Sequence, residues 1–293
     1  MTAARTTTQR TTARRGLTIS GLTLGTRIGL VLVSMTVVVA IVAPWISPYD
    51  PVATDSANAL AGPSWAHWLG TDQYGRDVLS RTLEGGRFAL LVSLFATIVA
   101  VAIGTLIGTV AAYYGKWVDG GITRVLDAIL AVPAVLALLL IVSVFGNSLW
   151  VLVIAIAVVY VPAVARVVRA ATFPVLTSGF VAAARARGER SLSIIGREVL
   201  PNILDTILVE FAMRASWVVL LVSTLSFLGF GVNPPTPDWG LMIQENRTAL
   251  TVAPLGTLAP IVTLSVLVVG LNLAADGLGK HFGVDRASRG VRG

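Results

Sequence analysis

Six apolar runs, near residues 28–46, 88–112, 125–145, 149–165, 205–230 and 255–275, alternate along the chain with polar stretches that hold almost all of its charge. A helix needs roughly 20 apolar residues to cross about 30 Å of hydrocarbon. Only helices and closed barrels satisfy their backbone hydrogen bonds there. The runs are continuous rather than alternating in polarity, so they predict six transmembrane helices and an all-α membrane protein. The fourth run is short, Leu149 to Ala165, and Asn147-Ser148 leaves little room for a turn before it.

Composition agrees with this class. The 293 residues are 55% hydrophobic and 13% charged, about half the charge of an ordinary soluble domain. A net charge of +7 suggests nucleic acid at first sight. Its distribution says otherwise, because segments 1–27, 113–124, 166–203 and 276–293 hold 17 of the 22 Lys and Arg, and segments 47–87 and 231–253 hold 4. The positive-inside rule then predicts that both termini are cytoplasmic, and the charge reads as topological rather than as a nucleic-acid surface. The chain has no cysteine, so disulfide and thiol chemistry are excluded.

This gives a domain plan. Residues 1–27, rich in Thr and Arg, read as a disordered basic cytoplasmic tail. A basic tail before an apolar run also has the layout of a secretory signal, but five further runs follow and no clean small-x-small exit closes the first. Residues 28–278 form the six-helix membrane domain, with an external segment 47–87, a cytoplasmic loop 166–203 and an external turn 231–253. Residues 279–293 form a second cytoplasmic tail.

The candidate chemistry is sparse. No Ser–His–Asp set, carboxylate pair or His cluster lies at membrane depth, which argues against a membrane enzyme, and His67 alone makes no metal site. Gly115-Lys116 and Gly279-Lys280 lack the other positions of a phosphate loop, so the chain binds no nucleotide through that motif. Gly104-x-x-x-Gly108 has the spacing that lets membrane helices approach closely, without naming a partner helix. Charges within the spans are rare; Glu210 and Arg214, four residues apart, share one helix face and are positioned as a structural or gating ion pair, or as a coupling site.

The external segment opens on Ser47-Pro48-Tyr49-Asp50-Pro51, an irregular exit from the membrane. Thr71 or Asp72 then stands where a cap would start a short helix carrying Val78, Leu79 and Leu83. Trp65 and Trp68 suit an interfacial anchor, while Asp50, Asp55, Asp72, Asp77 and Glu84 offer a face for a docking partner. In the second external turn Gly229 and Gly231 end a helix, Pro234, Pro235 and Pro237 forbid regular structure, and Trp239 is placed to anchor at the membrane interface.

The segment Arg166–Asn202 is too basic for lipid, yet apolar residues recur through it at helical spacing. Ala182 to Ala186 favours a helix, Gly188 breaks it, and Ser191 or Ser193 is placed to cap a second helix ending by Pro201.

Ala183, Ala184, Gly188, Leu200, Pro201 and Asn202 resemble the "EAA" loop of ABC importer permeases, in which Glu-Ala-Ala is followed by Gly and a Leu-Pro-Asn end. Ala182 stands where that family usually has Glu, and Glu198 where it often has His. Leu69 to Arg81, Leu225 to Gly240 and Leu271 to Leu278 are similar, in the same order, to stretches of the C-type permease of dipeptide/oligopeptide importers. The resemblance implies a type I importer permease fold in the bacterial plasma membrane, without catalysis of its own.

It also implies partners: a homologous B-type permease, two ATP-binding subunits that hold ATP and Mg, an external substrate-binding protein and membrane lipid. Coupling to the ATPase would fall on Ala183, Ala184, Arg185, Arg187, Gly188, Arg190, Leu200 and Pro201. With Ala182 in place of Glu, grip would rest on shape and on the arginines. Asp72, Arg76, Asp77, Pro234, Pro235 and Trp239 would lie at the outer mouth under the binding protein. The competing class is an ion-coupled secondary transporter or channel subunit, which calls for a midplane acid or a pair of broken helices.

Overall fold

The computed structural model describes residues 23–282 and is helical throughout, with no strand among the described residues. The expected tail 1–27 lies almost wholly outside them, as does the tail 279–293 beyond residue 282. The chain runs through α1 (Leu24–Ile46), α2 (Val78–Glu84), α3 (Gly86–Tyr114), α4 (Lys116–Leu130), α5 (Ala134–Phe145), α6 (Leu149–Leu176), α7 (Gly179–Ala186), α8 (Ser191–Ile194), α9 (Leu200–Phe227), α10 (Trp239–Asn246) and α11 (Leu255–Phe282). Helix therefore extends four residues into what the sequence suggested was a C-terminal tail, and α1 begins inside the expected N-terminal one.

Among the described residues five helical stretches are long and apolar enough to cross a membrane: Leu24–Ile46, Val78–Tyr114, Leu149–Leu176, Ser191–Phe227 and Leu255–Lys280. The sixth expected span is broken. α4 and α5 meet at 81° across Ala131–Pro133, so the run 125–145 is a bent pair rather than one rod. The cause is local: Pro133 cannot donate a helix hydrogen bond, and the residue before it, Val132, is pushed out of the helical region. α5 alone, at 12 residues, is about 18 Å long.

The fourth run errs in the other direction, since α6 continues eleven residues past Ala165 to Leu176. Between α3 and α4 the chain reverses at Gly115 alone (φ 59°), and α4 starts at Lys116, so most of the segment 113–124 is helical.

Hydrophobic burial gives helices little reason to associate in lipid, so close packing has to do so. α3 and α6 make the most extensive pairing in the fold. A Cβ on Gly104 would sit 2.6 Å from Cβ of Val164, and one on Gly108 would sit 3.0 Å from the Arg169 amide. The Gly104/Gly108 spacing thus has its partner in α6. α1 lies on α11 by the same means, with Gly29 placed so that a Cβ would meet the Gly270 carbonyl at 2.6 Å.

Three apolar clusters fix the rest. Val92, Ala96, Leu138, Leu152, Ile156, Val222 and Leu225 join α3, α5, α6 and α9. Val101, Val164, Val168, Val181, Ile194 and Val199 seat α7 and α8 on the ends of α3 and α6. Val219, Trp239, Met242 and Leu267 tie α10 to α9 and α11.

These contacts sort the connections into two ends. Gly277 lies against Thr26, and Gly279 faces Val209 in the first half of α9, which groups the start of α1, the end of α11 and the part of α9 that continues from the 179–203 segment. Segment 47–87 meets the 231–250 region at the other end, through Arg81 and Glu245.

Candidate functional site

At the first end, α7 stops in a Schellman motif. The Gly188 amide donates to the Arg185 carbonyl at 3.0 Å and the Glu189 amide to the Ala184 carbonyl at 3.2 Å. Gly188 carries the positive φ of 74° that this closure requires, which other residues adopt only with strain. Val181 and Ala184 are buried against the bundle; Ala183, Arg185, Arg187, Gly188 and Arg190 are exposed. The surface is steadied from below, because the Arg185 guanidinium lies 5.2 Å from the Tyr113 ring centroid and Arg187 pairs with Glu189 at 2.6 Å. Beside them Leu192 is 81% exposed, an apolar knob among cations.

The second expected helix does not end at Pro201. Helix runs unbroken from Ser191 to Phe227, so the segment is the continuation of a membrane helix rather than a free loop. Arg190 occupies the N-cap, and neither Ser191 nor Ser193 caps with its side chain. Pro201 is accommodated by a π-helical turn, Ile195–Val199, in which the Leu200 amide reaches back five residues to the Ile195 carbonyl. A proline lacks the N–H that would close the ordinary turn, and next to it Asn202 donates from Nδ2 to the Glu198 carbonyl at 2.7 Å. Leu200-Pro201-Asn202 thereby makes α8 and α9 one lever with a defined irregularity. α4 is braced to α6 close by: Asp119 accepts from Arg169 Nε and Nη2 at 2.5 Å each, and Asp127 pairs with Arg166 at 2.7 Å. None of these four was assigned a role from sequence.

At the opposite end two of the five expected docking acids, Asp72 and Asp77, turn inward, while Asp50 and Asp55 stay exposed. Asp72, Arg76 and Asp77 are buried, so they form no exposed face. Asp72 accepts from the Tyr74 amide at 2.9 Å, the Arg76 amide at 3.0 Å and Arg76 Nε at 2.6 Å. Arg76 Nη2 reaches Glu245 at 2.6 Å, and the wholly buried Arg81 reaches Glu245 at 3.1 Å and the carbonyls of Pro51 and Pro235 at 3.0 and 3.2 Å. Two acids balance two arginines, which is what permits such burial.

Asp77, not Thr71 or Asp72, caps α2, taking the Ser80 amide at 2.8 Å while His67 Nδ1 contacts its other oxygen at 2.9 Å. Trp65 and Trp68 sit on irregular chain rather than a helix, and Trp65 is 97% exposed.

Trp239 is also relocated. It is 1% exposed, with Nε1 donating to the Thr82 carbonyl at 2.8 Å, and so is a core residue rather than an interface anchor. Gly86 makes room, since a Cβ there would come within 2.5 Å of indole Cζ2. Asp238 caps α10 by accepting from the Leu241 amide at 3.1 Å, and burial pushes its carboxyl up to about 6. α9 ends at Phe227 and Gly229 takes φ 85°, as the glycine pattern suggests. Pro234 and Pro235 stay exposed, and Asn147 donates to the Gly231 carbonyl at 2.5 Å, pinning the turn to the start of α6.

Between the ends, Glu210 and Arg214 meet as their spacing predicts: Arg214 Nε donates to Glu210 Oε1 at 2.5 Å. The Arg214 guanidinium also stands 5.9 Å from the Tyr160 ring centroid. Among the described residues no group of three or more His, Cys, Asp or Glu is arranged to hold a metal.

Comparison with known proteins agrees with this architecture. The family model described as "Binding-protein-dependent transport system inner membrane component" matches residues 100–284, and that described as "N-terminal TM domain of oligopeptide transport permease C" matches residues 26–63. The chain is similar to the dipeptide transport system permease protein DppC of Alkalihalophilus pseudofirmus, 38% identical over 251 residues, 86% of this chain and 83% of that one. It is likewise similar to the glutathione transport system permease protein GsiD of Shigella dysenteriae serotype 1, 39% identical over 247 residues, 84% of this chain and 82% of that one.

A solved structure of the MetNI methionine ABC transporter, titled as inward facing, shares the fold with a TM-score of 0.57 at 17% identity, over 68% of this chain and 93% of that one. Matches of this extent set aside an ion-coupled secondary transporter or channel. The chain belongs to the family of binding-protein-dependent transport system inner membrane components, the multi-pass permease subunits of ABC importers.

Proposed function

We propose that this chain is one of two homologous permease subunits of an ATP-driven importer of dipeptides and short oligopeptides, in a bacterial cytoplasmic membrane with both termini inside. The observation that carries the substrate class is the identity of 38–39%, over more than four-fifths of both chains, with permeases named for a dipeptide and for the tripeptide glutathione. The charge distribution supports the orientation, because the arginine-rich end then faces the cytoplasm.

In this reading the exposed face of α7 and the start of α8, with Ala183, Arg185, Arg187, Gly188, Arg190 and Leu192, seats in a groove of an ATP-binding subunit. Ala184 turns inward and holds α7 to the bundle. ATP and Mg are bound by two such partner subunits, and this chain performs no covalent chemistry. Closure of the ATPases pushes on α7; Val181, Ile194 and Val199 pass the load to α3 and α6, and the continuous helix Ser191–Phe227 carries it to the far end. Packed helices shift as bodies between discrete arrangements, so the pathway alternates between its two openings. The external binding protein docks at the other end, where the exposed residues are Trp65, Trp68, Pro234 and Pro235 on a base stiffened by the buried Asp72, Arg76, Arg81 and Glu245.

Reconstitution tests this reading. The chain, its partner permease, the ATPases and the binding protein in proteoliposomes are expected to accumulate labelled di- to pentapeptides only with ATP. Accumulation of a solute without a peptide bond, and of no peptide, would refute the substrate class.

A further inference from the structure

The charged pair in the middle of α9 is built asymmetrically. Glu210 is buried, whereas the Arg214 side chain keeps 19% of its surface open. Glu210 engages only Nε; Nη1 and Nη2 of Arg214 have no hydrogen-bond acceptor among the described residues, and the guanidinium is otherwise flanked by Tyr160. Its neighbours on α9, Met213 and Trp217, are exposed. A guanidinium stays ionised in proteins, and an open edge of it at membrane depth does not face hydrocarbon but protein or a water-filled path.

From this we infer that Arg214 is a transit site for a carboxylate of the substrate, its free Nη1/Nη2 edge donating hydrogen bonds to the C-terminal carboxylate of a passing peptide. The inference rests on the peptide-importer reading. A planar guanidinium matches a carboxylate with two parallel hydrogen bonds, which a lysine does not reproduce. Glu210 gives the site its second property. By holding Nε it fixes the fork and keeps the resident pair neutral, so an arriving carboxylate is recognised without being retained, as conduction requires. Arg214 is thus a specificity residue of the pathway, distinct from the selection made by an external binding protein.

The test uses the full reconstituted complex with one and the same binding protein throughout, and compares uptake of one peptide with a free C-terminus against its C-terminal amide. The free-to-amide uptake ratio is expected to fall about tenfold in Arg214→Gln, the loss of one charge-assisted contact, and to take an intermediate value in Arg214→Lys. An unchanged ratio in both variants while uptake persists would overturn the inference and leave the peptide-importer reading standing. Should Arg214→Gln fail to assemble, the ratio in Arg214→Lys decides alone. A wild-type complex that imports neither peptide would instead refute the underlying reading, and the inference with it.

Discussion

Arg81 and Glu245 lie 164 residues apart in the chain and meet at 3.1 Å between Nη2 and Oε2, with Arg81 wholly buried. Together with Asp72 and Arg76 they clamp segment 47–87 onto α10. Removing one acid leaves two buried arginines facing a single carboxylate, a loss of the kind that costs about 3–5 kcal/mol. Glu245→Ala is therefore expected to lower the thermal unfolding midpoint of the detergent-purified chain markedly. Because the four groups form one network, Glu245→Ala combined with Arg76→Ala should cost less than the two single changes added together. Additive effects would mean that the contacts act separately.

The Trp239 slot makes a second prediction, one that depends on shape. Gly86→Ala places a methyl group against indole Cζ2 and is expected to destabilise by roughly 1–3 kcal/mol, as overpacking does. Trp239→Phe, which lacks the outer indole atoms, should relieve that clash at the expense of the bond to Thr82. In denaturant titrations the double variant should then be more stable than the sum of the singles implies. Equal stability of Gly86→Ala and wild type would contradict the slot.

Much of this arrangement was legible in the sequence, and the misses have physical causes. Five membrane helices follow from run length alone. The break at Ala131–Pro133 did not, because Val132-Pro133 sits inside an apolar run whose length already satisfies a span. Gly104 and Gly108 announced a close contact, but only the fold supplies Val164 and Ala165. The Ala-rich helix and Gly188 read correctly because capping is local. Pro201 was misread because its usual meaning, a helix boundary, is overridden by the π turn that precedes it.

The far end was the least legible. Asp72, Arg76 and Asp77 look like solvated charges until Glu245, 169 residues from Arg76, arrives to pair. Trp239 looks like an interface anchor until Gly85-Gly86, far upstream, opens a place for it.

Asp238 sets a pH dependence. Its folded carboxyl is raised to about 6 from an ordinary 3.8, so the folded state holds this proton more tightly than the unfolded one. The contribution to stability is fully present below about pH 4 and is lost as pH rises through about 6. Asp238→Asn keeps an acceptor for the Leu241 amide and removes the ionisation. Its unfolding midpoint relative to wild type should rise between pH 4 and 7 and level off above. A constant difference across that range would show that Asp238 does not titrate in this window.

Leu192 separates partner binding from folding. It is 81% exposed, so Leu192→Asp should leave the chain folded and inserted. If this apolar knob enters a groove of the ATP-binding subunit, the charge should cut co-purification of that subunit at least about tenfold, since burying an unpaired carboxylate is costly. Phe180, 43% exposed on α7, offers a parallel site. Undiminished co-purification of Leu192→Asp would place the interface away from this residue of α8.

The claim on which the account turns is that the α7–α8 surface is cytoplasmic and seated on the ATPase. The chain contains no cysteine, so Leu192→Cys introduces a single thiol and no other thiol of this chain competes for the reagent. Short bifunctional cross-linking of the assembled complex is predicted to join that thiol to an ATP-binding subunit, with a yield that changes when ATP is added. An intact complex in which this thiol reaches no ATPase, and reacts instead with a membrane-impermeant reagent added outside intact cells, would contradict the account.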